Sequence, residues 1–306
     1  MHAFVFPGQG SQAVGMGKEL AERSAQARAI FDQANAVLGF DLAALCFEGP
    51  EDQLTATENA QPAILTVSIA VLETLRAAEG AAGLRPRLVA GHSLGEYSAL
   101  VAAGSLGFAE ALRLVRRRGE LMAASNEGTM AAVLGLELAP LAEICASVGE
   151  YGPCVVANQN APGQLVISGA TEAVQAAGER AKAAGAKRVM PLNVSAAFHS
   201  PLMQAAAAGL AEAVAATPVG DAAIPLIANT TAQPIQSAAD IRRELVEQVT
   251  APVRWIGSVE TMVDHGVTAV VEIGAGAVLN GLVKRIAPAL QRINIASADD
   301  IVAAIK

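Results

Sequence analysis

Residues 88–96 are Leu88-Val89-Ala90-Gly91-His92-Ser93-Leu94-Gly95-Glu96. A short apolar run enters a Gly-x-Ser-x-Gly turn, and a segment rich in alanine and leucine follows it. This order of strand, sharp turn and helix is typical of a nucleophile elbow. Glycines suit the flanks of such a turn because a Cβ there would clash with the neighbouring backbone. The pattern predicts Ser93 as a nucleophile at the tip, with the first, unpaired amides of the next helix facing an anionic intermediate.

The composition indicates a large aliphatic core and excludes several classes of partner. Of 306 residues, 53% are hydrophobic, 16% are charged and 3% are aromatic, and the net charge is −8. A negative chain is not expected to bind nucleic acid. No apolar run approaches the ~20 residues of a membrane span, and no signal pattern precedes the first strand. The three cysteines, Cys46, Cys145 and Cys154, are scattered, which predicts free thiols in the cytoplasm and no metal site.

Helix-like and strand-like segments alternate along most of the chain, which predicts an α/β fold with a mostly parallel sheet covered on both faces. Helices are expected at 17–38, 61–79 (with Pro62 in its first turn), 108–125, 201–216, 240–249, 255–264 and 277–287, and strands at 4–6, 223–228, 268–273 and 291–295. Ligands bind at the carboxyl ends of such strands. Three loops lie at these ends: 7–12, 91–95 and 274–276.

The order of strand-like and helix-like segments changes in the middle of the chain. Strand-like runs at 130–134, 153–157, 164–168 and 186–192 enclose helical runs at 138–148 and 171–184, with 158–163 as a hairpin loop. The order β-α-β-β-α-β is that of ferredoxin-like domains. We therefore expect an inserted ferredoxin-like small subdomain, 127–193, within a large hydrolase-like subdomain formed by 1–126 and 194–306.

A serine nucleophile needs a base, and the chain has four histidines. His2 is terminal, His92 points away from its neighbour in a tight turn, and His265 is expected at a surface helix end. His199 is therefore the predicted base, with a buried structural histidine as the alternative. No Asp or Glu lies within ten residues of it, so a backbone carbonyl is the expected orienting group.

The helix predicted at 108–125 carries three consecutive arginines, 116–118. Its apolar stripe leaves Arg117 on the opposite face, whereas Arg116 and Arg118 flank the stripe. Either flanking arginine is therefore a candidate to reach a cleft, and a solvated basic face is the expected role of the others.

These motifs together resemble the malonyl-CoA:acyl-carrier-protein transacylase family. The resemblance rests on the opening residues 4–12, on 91–97 around Ser93, on Arg118-Gly119, on Phe198-His199-Ser200, and on Gln248 before Pro252-Val253-Arg254-Trp255. Five motifs in this order make the match specific. It implies a ping-pong transfer through a malonyl ester of Ser93, with malonyl-CoA and acyl carrier protein as partners, no cofactor, and a role in fatty acid biosynthesis.

The resemblance also implies the roles of individual residues. His199 is the base, and a carbonyl of Gln248 orients it. The backbone amides of Gln9 and Leu94 form the oxyanion hole. Arg118 holds the malonyl carboxylate, for which its planar guanidinium suits bidentate contact. An aromatic residue at the position of Phe198 is similar to the malonyl-selective pattern rather than the methylmalonyl-selective one.

Three other functions compete with this one. The first is an α/β-hydrolase acting as a thioesterase, although the chain has neither a His-Gly-Gly-Gly motif nor an acid for the histidine. The others are a trans-acting polyketide-synthase acyltransferase and a non-catalytic scaffold for a carrier protein. An acidic carrier requires a basic patch on this acidic chain, and the candidate residues are Lys182, Lys187, Arg188, Arg116 or Arg117, Lys284 and Arg285.

Overall fold

The computed structural model describes residues 1–194 and 196–305. The strands are β1 His2–Phe6, β2 Pro86–Gly91, β3 Thr129–Leu134, β4 Cys154–Ala161, β5 Gln164–Gly169, β6 Arg188–Pro191, β7 Leu226–Ile227, β8 Pro234–Ile235, β9 Ala269–Ile273 and β10 Gln291–Ile295. The helices before β4 are α1 Lys18–Arg23, α2 Ala25–Leu38, α3 Leu42–Glu48, α4 Glu51–Thr55, α5 Thr57–Ala77, α6 Gly95–Ala102, α7 Phe108–Ala124 and α8 Leu138–Ser147. Those after it are α9 Thr171–Ala183, α10 Gln204–Ala216, α11 Ala238–Glu247, α12 Trp255–Asp264, α13 Val278–Ile286 and α14 Ala298–Ala304.

The larger sheet has the strand order β10-β9-β1-β2-β7-β8. Its neighbouring strands are parallel except for β8, which is antiparallel to β7. Alternate side chains enter two different cores: Phe4 and Phe6 of β1 pack with α2, α5 and α7, whereas Ala3 and Val5 pack with α12 and α13. Burial on both faces explains why these strands are apolar throughout. The predicted α/β fold with a mostly parallel sheet is confirmed.

The second sheet is antiparallel, with the order β4-β5-β3-β6. Helices α8 and α9 cover one face of it and enclose a separate core that includes Val133, Leu141, Ile167 and Ala177. This is the strand order of a ferredoxin-like fold. The sheet spans 129–191, within the small subdomain predicted at 127–193.

The structure corrects several predicted elements. Helix 17–38 is interrupted at Ser24, whose hydroxyl accepts a hydrogen bond from the Ala27 amide (3.2 Å) and begins a new helix. Residues 158–161 belong to β4 rather than to a hairpin loop. The strand predicted at 223–228 is only two residues long. Four elements were not predicted: α3, α4, β8 and α14.

Pro62 lies inside α5, not in its first turn, because the helix begins at Thr57. A proline has no N–H to donate to the carbonyl four residues earlier, which here is that of Glu58. That carbonyl instead accepts a hydrogen bond from Arg116 Nη1 (3.1 Å). A side chain from α7 thus compensates for the proline.

The elbow depends on close backbone contact, which gives a stability prediction. A Cβ on Gly91 would lie 1.9 Å from the carbonyl carbon of Gly95. We expect Gly91→Ala to lower the free energy of unfolding by at least about 2 kcal/mol, since the backbone cannot move aside without disturbing the sheet. Urea denaturation measures the change.

Gly281→Ala is the matched control. Gly281 lies within α13, and a Cβ there meets no described atom within 4 Å. This variant should be stabilised by about 0.5–1 kcal/mol through helix propensity. Equal stabilities for the two variants would contradict the packing argument.

Candidate active site

Ser93 lies between the end of β2 and the start of α6, with a φ of 52°. A non-glycine residue adopts this left-handed conformation only when its surroundings enforce it. A Cβ on Gly95 would lie 2.1 Å from the Phe6 carbonyl oxygen, so the turn also packs directly against β1. The side chain of Asn229, just after β7, accepts from the Ser93 amide (2.7 Å) and donates to the Gly91 carbonyl (2.7 Å). These contacts hold the elbow in its strained geometry.

Most amides of the elbow are already paired, contrary to the expectation that the first helical amides are free. The amides of Gly95 and Glu96 donate to the carbonyls of His92 and Ser93. Among the described residues, the amides of Leu94 and Gln9 have no acceptor, and both residues line the cavity at Ser93. These two amides are therefore available to an oxyanion.

His199 follows the second sheet in the chain and reaches back to the serine. Its Nε2 lies 2.8 Å from Ser93 Oγ. Its Nδ1 lies 2.8 Å from the backbone oxygen of Gln248 and 3.1 Å from that of Ala251. Because both partners of Nδ1 are carbonyls, this nitrogen carries the proton. Nε2 is then free to accept the serine proton.

Two effects keep the imidazole neutral. Burial lowers the pKa of His199 to about 3, and the nearby positive charge of Arg118 acts in the same direction. The imidazole is therefore an unprotonated base at neutral pH. No carboxylate among the described residues contacts the imidazole, and the Gln248 and Ala251 carbonyls take that place.

Arg118 is the arginine that reaches the cleft, and it is 1% exposed. Its guanidinium donates to Ser93 Oγ (3.0 Å), to Gln248 Oε1 (2.9 Å) and to Gln61 Oε1 (2.8 Å). The next residue, Gly119, lets α7 approach α5: a Cβ there would lie 2.7 Å from the Glu58 Cα. The close helix contact is what places Arg118 beside the elbow.

The other arginine and histidine candidates do not contact the Ser93 hydroxyl. Arg116 is half-buried and bonds to Glu120, and exposed Arg117 faces the same carboxylate. His92 is adjacent to Ser93, but its Nε2 lies 2.8 Å from Asn160 Oδ1 of the second sheet. His265 is exposed and bonds within its own helix end.

Ser93, Arg118 and His199 line a cavity of ≈ 310 Å³. These polar groups form one side of the cavity. The rest of its wall is apolar and includes Met122, Met130, Leu192, Val194 and Phe198. Phe198 is 6% exposed. The arrangement suits a small polar group at the serine and a longer, less polar chain leading out.

Three polar residues of the site were missed by the sequence interpretation: Gln61, Glu96 and Asn229. Glu96 accepts from the Asn229 amide (2.6 Å) and from Gln248 Nε2. A signal existed for two of them. Gln61 interrupts an apolar helix, and Asn229 follows a strand at the same sheet edge as the elbow.

Within residues 1–194 and 196–305, no three His, Cys, Asp or Glu side chains are grouped so as to hold a metal ion. In the same part of the chain, no helix has the length and hydropathy needed to cross a membrane.

Comparisons with known proteins agree in one family. The acyl transferase domain matches residues 3–301. A malonyl CoA-acyl carrier protein transacylase of Bacillus subtilis is 48% identical over 308 residues, which cover 99% of this chain and 96% of the relative. The structure is similar to an acyl-carrier-protein S-malonyltransferase from Bartonella henselae, with a TM-score of 0.96, 44% identity, and coverage of 99% of this chain and 98% of the other. A malonyl-transacylase solved in complex with its type II PKS acyl-carrier protein has a TM-score of 0.95, 42% identity and coverage of 99% and 98%.

The depressed pKa of His199 predicts an unusual pH profile. A base is active above its pKa, so His199 with a pKa of about 3 stays active where an ordinary histidine is already protonated. The rate at which a neutral sulfonyl fluoride modifies Ser93 should therefore stay constant from about pH 8 to 5. Modification is followed by intact mass, with His199→Ala as the control that loses the reaction. An inflection near the ordinary histidine pKa of about 6.5 would contradict the assignment.

Proposed function

This chain belongs to the acyl transferase domain family, and on that basis we propose that it transfers a malonyl group from malonyl-CoA to the phosphopantetheine thiol of an acyl carrier protein. The enzyme is an acyltransferase with a serine nucleophile, and the malonyl-carrier product supplies fatty acid biosynthesis. No cofactor is needed, because the substrates bring both the thioester and the thiol.

The observation that supports a malonyl substrate best is the unpaired charge of Arg118. Its guanidinium is buried, yet it forms no ion pair with any carboxylate of the described residues. Buried charges are normally paired because desolvation without compensation is costly. A malonyl group carries a carboxylate one methylene away from its thioester carbon. An acyl group at Ser93 can therefore supply the missing negative charge.

The first half-reaction forms the malonyl ester. Ser93 Oγ attacks the thioester carbon while His199 Nε2 accepts the hydroxyl proton. The amides of Gln9 and Leu94 donate to the tetrahedral oxyanion, a kind of contact typically worth ~10²–10³ in rate per donor. The C–S bond then breaks, and the CoA sulfur takes the proton from His199.

The second half-reaction reverses these steps with another thiol. The phosphopantetheine thiol gives its proton to His199 and attacks the ester carbonyl carbon. The bond to Ser93 Oγ breaks, and this oxygen recovers the proton. The malonyl carboxylate also offsets the positive charge that lowers the pKa of His199. Binding of an acidic acyl group thus makes the imidazole a better proton acceptor.

The apolar wall of the cavity supports a role for Phe198 in acyl selection. Its side chain is buried and lines the cavity at Ser93, where an acyl α-carbon would lie next to it. A methyl branch on that carbon would compete with the ring for this space. One methyl group is worth ~1–3 kcal/mol in such a pocket, so we expect partial discrimination against methylmalonyl.

The carrier protein is proposed to dock on a basic cluster formed by Lys187, Arg188 and Arg285. These residues line one surface cavity of ≈ 500 Å³, which also contains Glu137. Arg285 donates to the Pro162 carbonyl (3.0 Å), two residues beyond the Asn160 that contacts His92. None of the three cluster cations forms an ion pair within the described chain. By contrast, Lys182 is paired with Glu179, and Arg116 and Arg117 share the single carboxylate of Glu120.

A cytoplasmic location is proposed for this reaction. Cys46, Cys145 and Cys154 are free thiols, which fits a reducing compartment.

The covalent intermediate is the direct test of the function. After brief mixing with malonyl-CoA, intact-mass measurement should detect one malonyl adduct on the wild type and none on Ser93→Ala. Added phosphopantetheine-loaded carrier should discharge the adduct, with a transfer rate that exceeds hydrolysis. A thioesterase would instead release free malonate, and a scaffold would form no adduct. An adduct persisting on Ser93→Ala would refute the nucleophile.

Removal of Arg118 should change the acyl preference. Arg118→Ala is expected to lower kcat/KM for malonyl-CoA by at least about 100-fold, because the substrate carboxylate is left unpaired. Acetyl-CoA, which has no such charge, should lose much less. Arg118→Lys keeps the charge but not the planar guanidinium. Its kcat/KM for malonyl-CoA should therefore lie between those of the wild type and Arg118→Ala. Equal losses for both thioesters would show that Arg118 does not recognise the carboxylate.

Docking on the basic cluster should depend on local charge. Arg188→Glu should raise KM for the carrier protein by roughly tenfold and leave KM for free pantetheine unchanged. Lys182→Glu is the matched control, since Lys182 lies in the same subdomain but is paired. Added salt should weaken the carrier reaction alone. Equal effects of the two variants would rule out the cluster as the docking site.

A further inference from the structure

Glu96 is a buried carboxylate that the mechanism above does not use. It lies in the first turn of α6 and is 0% exposed. Burial, and then the negative charge of Glu244, raise its pKa well above the ordinary value. No ion pair joins it to a basic residue in the described chain. Such a costly position calls for a specific role.

The two oxygens of Glu96 accept from opposite sides of the active site. Oε1 accepts from the backbone amide of Asn229 (2.6 Å), whose side chain clamps the elbow. Oε2 accepts from Gln248 Nε2. One side chain therefore connects the nucleophile turn with the residue that contacts both His199 and Arg118.

The contact with Gln248 sets the orientation of its side-chain amide. Nε2 donates to Glu96 and also to the Ser93 carbonyl (2.9 Å). With the nitrogen held on this side, Oε1 must face the other way, where it accepts from Arg118 Nη2 (2.9 Å). A flipped amide would direct its NH₂ group at the guanidinium, and two donors would then oppose each other.

We propose that Glu96 is a positioning residue for acyl selection: it fixes the Gln248 amide, and through it the direction of the Arg118 guanidinium. The inference rests on the proposed malonyl transfer. Glu96 forms no hydrogen bond with Ser93 Oγ or Arg118, and the hydrogen-bonded path from Glu96 to Arg118 runs through Gln248. Its removal should therefore reduce the preference for malonyl over acetyl, rather than merely the rate.

Glu96→Gln is the most discriminating variant. A glutamine presents one oxygen and one NH₂ group to two donors that each need an acceptor. The backbone amide of Asn229 cannot reverse its polarity, so the glutamine oxygen stays with it. The NH₂ group then faces Gln248, whose amide must flip or lose a bond. A flip removes the Gln248 acceptor of Arg118, and without a flip two opposed NH₂ groups push Gln248 away from its present position beside Arg118.

Glu272→Gln is the matched control. Glu272 is another buried carboxylate, and it accepts from the backbone amides of Leu279 (2.9 Å) and Asn280 (2.7 Å). A glutamine there meets the same conflict, because it presents an NH₂ group to one of two backbone donors. This variant therefore introduces the same kind of mismatch without changing the contacts of Gln248.

The measurement is kcat/KM for malonyl-CoA and acetyl-CoA with the wild type and both variants. We expect Glu96→Gln to lower the malonyl-to-acetyl ratio by roughly tenfold, the size typical of one lost buried hydrogen bond. Glu272→Gln should keep the ratio within about twofold of the wild type, since Glu272 contacts neither Glu96 nor Gln248. An unchanged ratio in folded Glu96→Gln would overturn the proposal, even if both rates fell. A wild type that forms no malonyl ester would overturn the proposed function and this inference together.

A second variant covers the case in which Glu96→Gln does not fold. Gln248→Met removes both the donor to Glu96 and the acceptor of Arg118 at similar volume. The proposal requires that this change lower the malonyl-to-acetyl ratio as well, since the hydrogen-bonded path from Glu96 to Arg118 runs through Gln248. If Gln248→Met leaves the ratio unchanged, Glu96 has no route to Arg118 and the proposal is wrong.

Discussion

The close packing of the elbow backbone against itself and against β1 constrains the rest of the site. Gly91 packs against the carbonyl group of Gly95, and Gly95 packs against that of Phe6. Both contacts are so close that a Cβ on either glycine would clash with the backbone. Ser93 is therefore forced to a φ of 52°, with its hydroxyl at the carboxyl edge of the sheet. Because β1, β2 and β7 are parallel neighbours, the loops that follow them meet at that edge.

Charge at the site is unbalanced without a substrate, and this imbalance links acyl recognition to reactivity. The Arg118 guanidinium donates to Ser93 Oγ, and its charge adds to burial, the larger cause, in lowering the pKa of His199. An imidazolium beside it is therefore disfavoured until a carboxylate arrives. A single buried arginine can thus select an acidic acyl group and, once neutralised, permit the proton transfer. This coupling predicts that the pocket discriminates between acyl groups by charge more strongly than by size.

The second sheet contributes directly to the cavity, because Met130 and Asn158 line it. Val253 pairs with β4 through hydrogen bonds from Val253 to Ala157 (2.8 Å) and from Gln159 to Val253 (2.9 Å), and Asn160 bonds to His92. Strand β4 ends at a hairpin, where the Pro162 carbonyl accepts a hydrogen bond from Arg285. One strand, β4, therefore contacts the acyl site through Asn160 and ends beside Arg285 of the proposed carrier cluster.

Local patterns were enough to predict the α/β class, the β-α-β-β-α-β order and candidates such as Ser93, His199 and Arg118, because turns and alternating burial leave short-range signals. They did not reveal Gln61, Asn229 or the role of Glu96, whose partners are distant in sequence and whose residue types are common on surfaces. Nor could they decide between Arg116 and Arg118, since both flank the buried stripe. Only the close approach of α7 to α5 at Gly119 directs Arg118 to the serine, while the carbonyl freed by Pro62 holds Arg116 elsewhere. Helix packing, and not residue type, therefore determines which of the two arginines reaches Ser93.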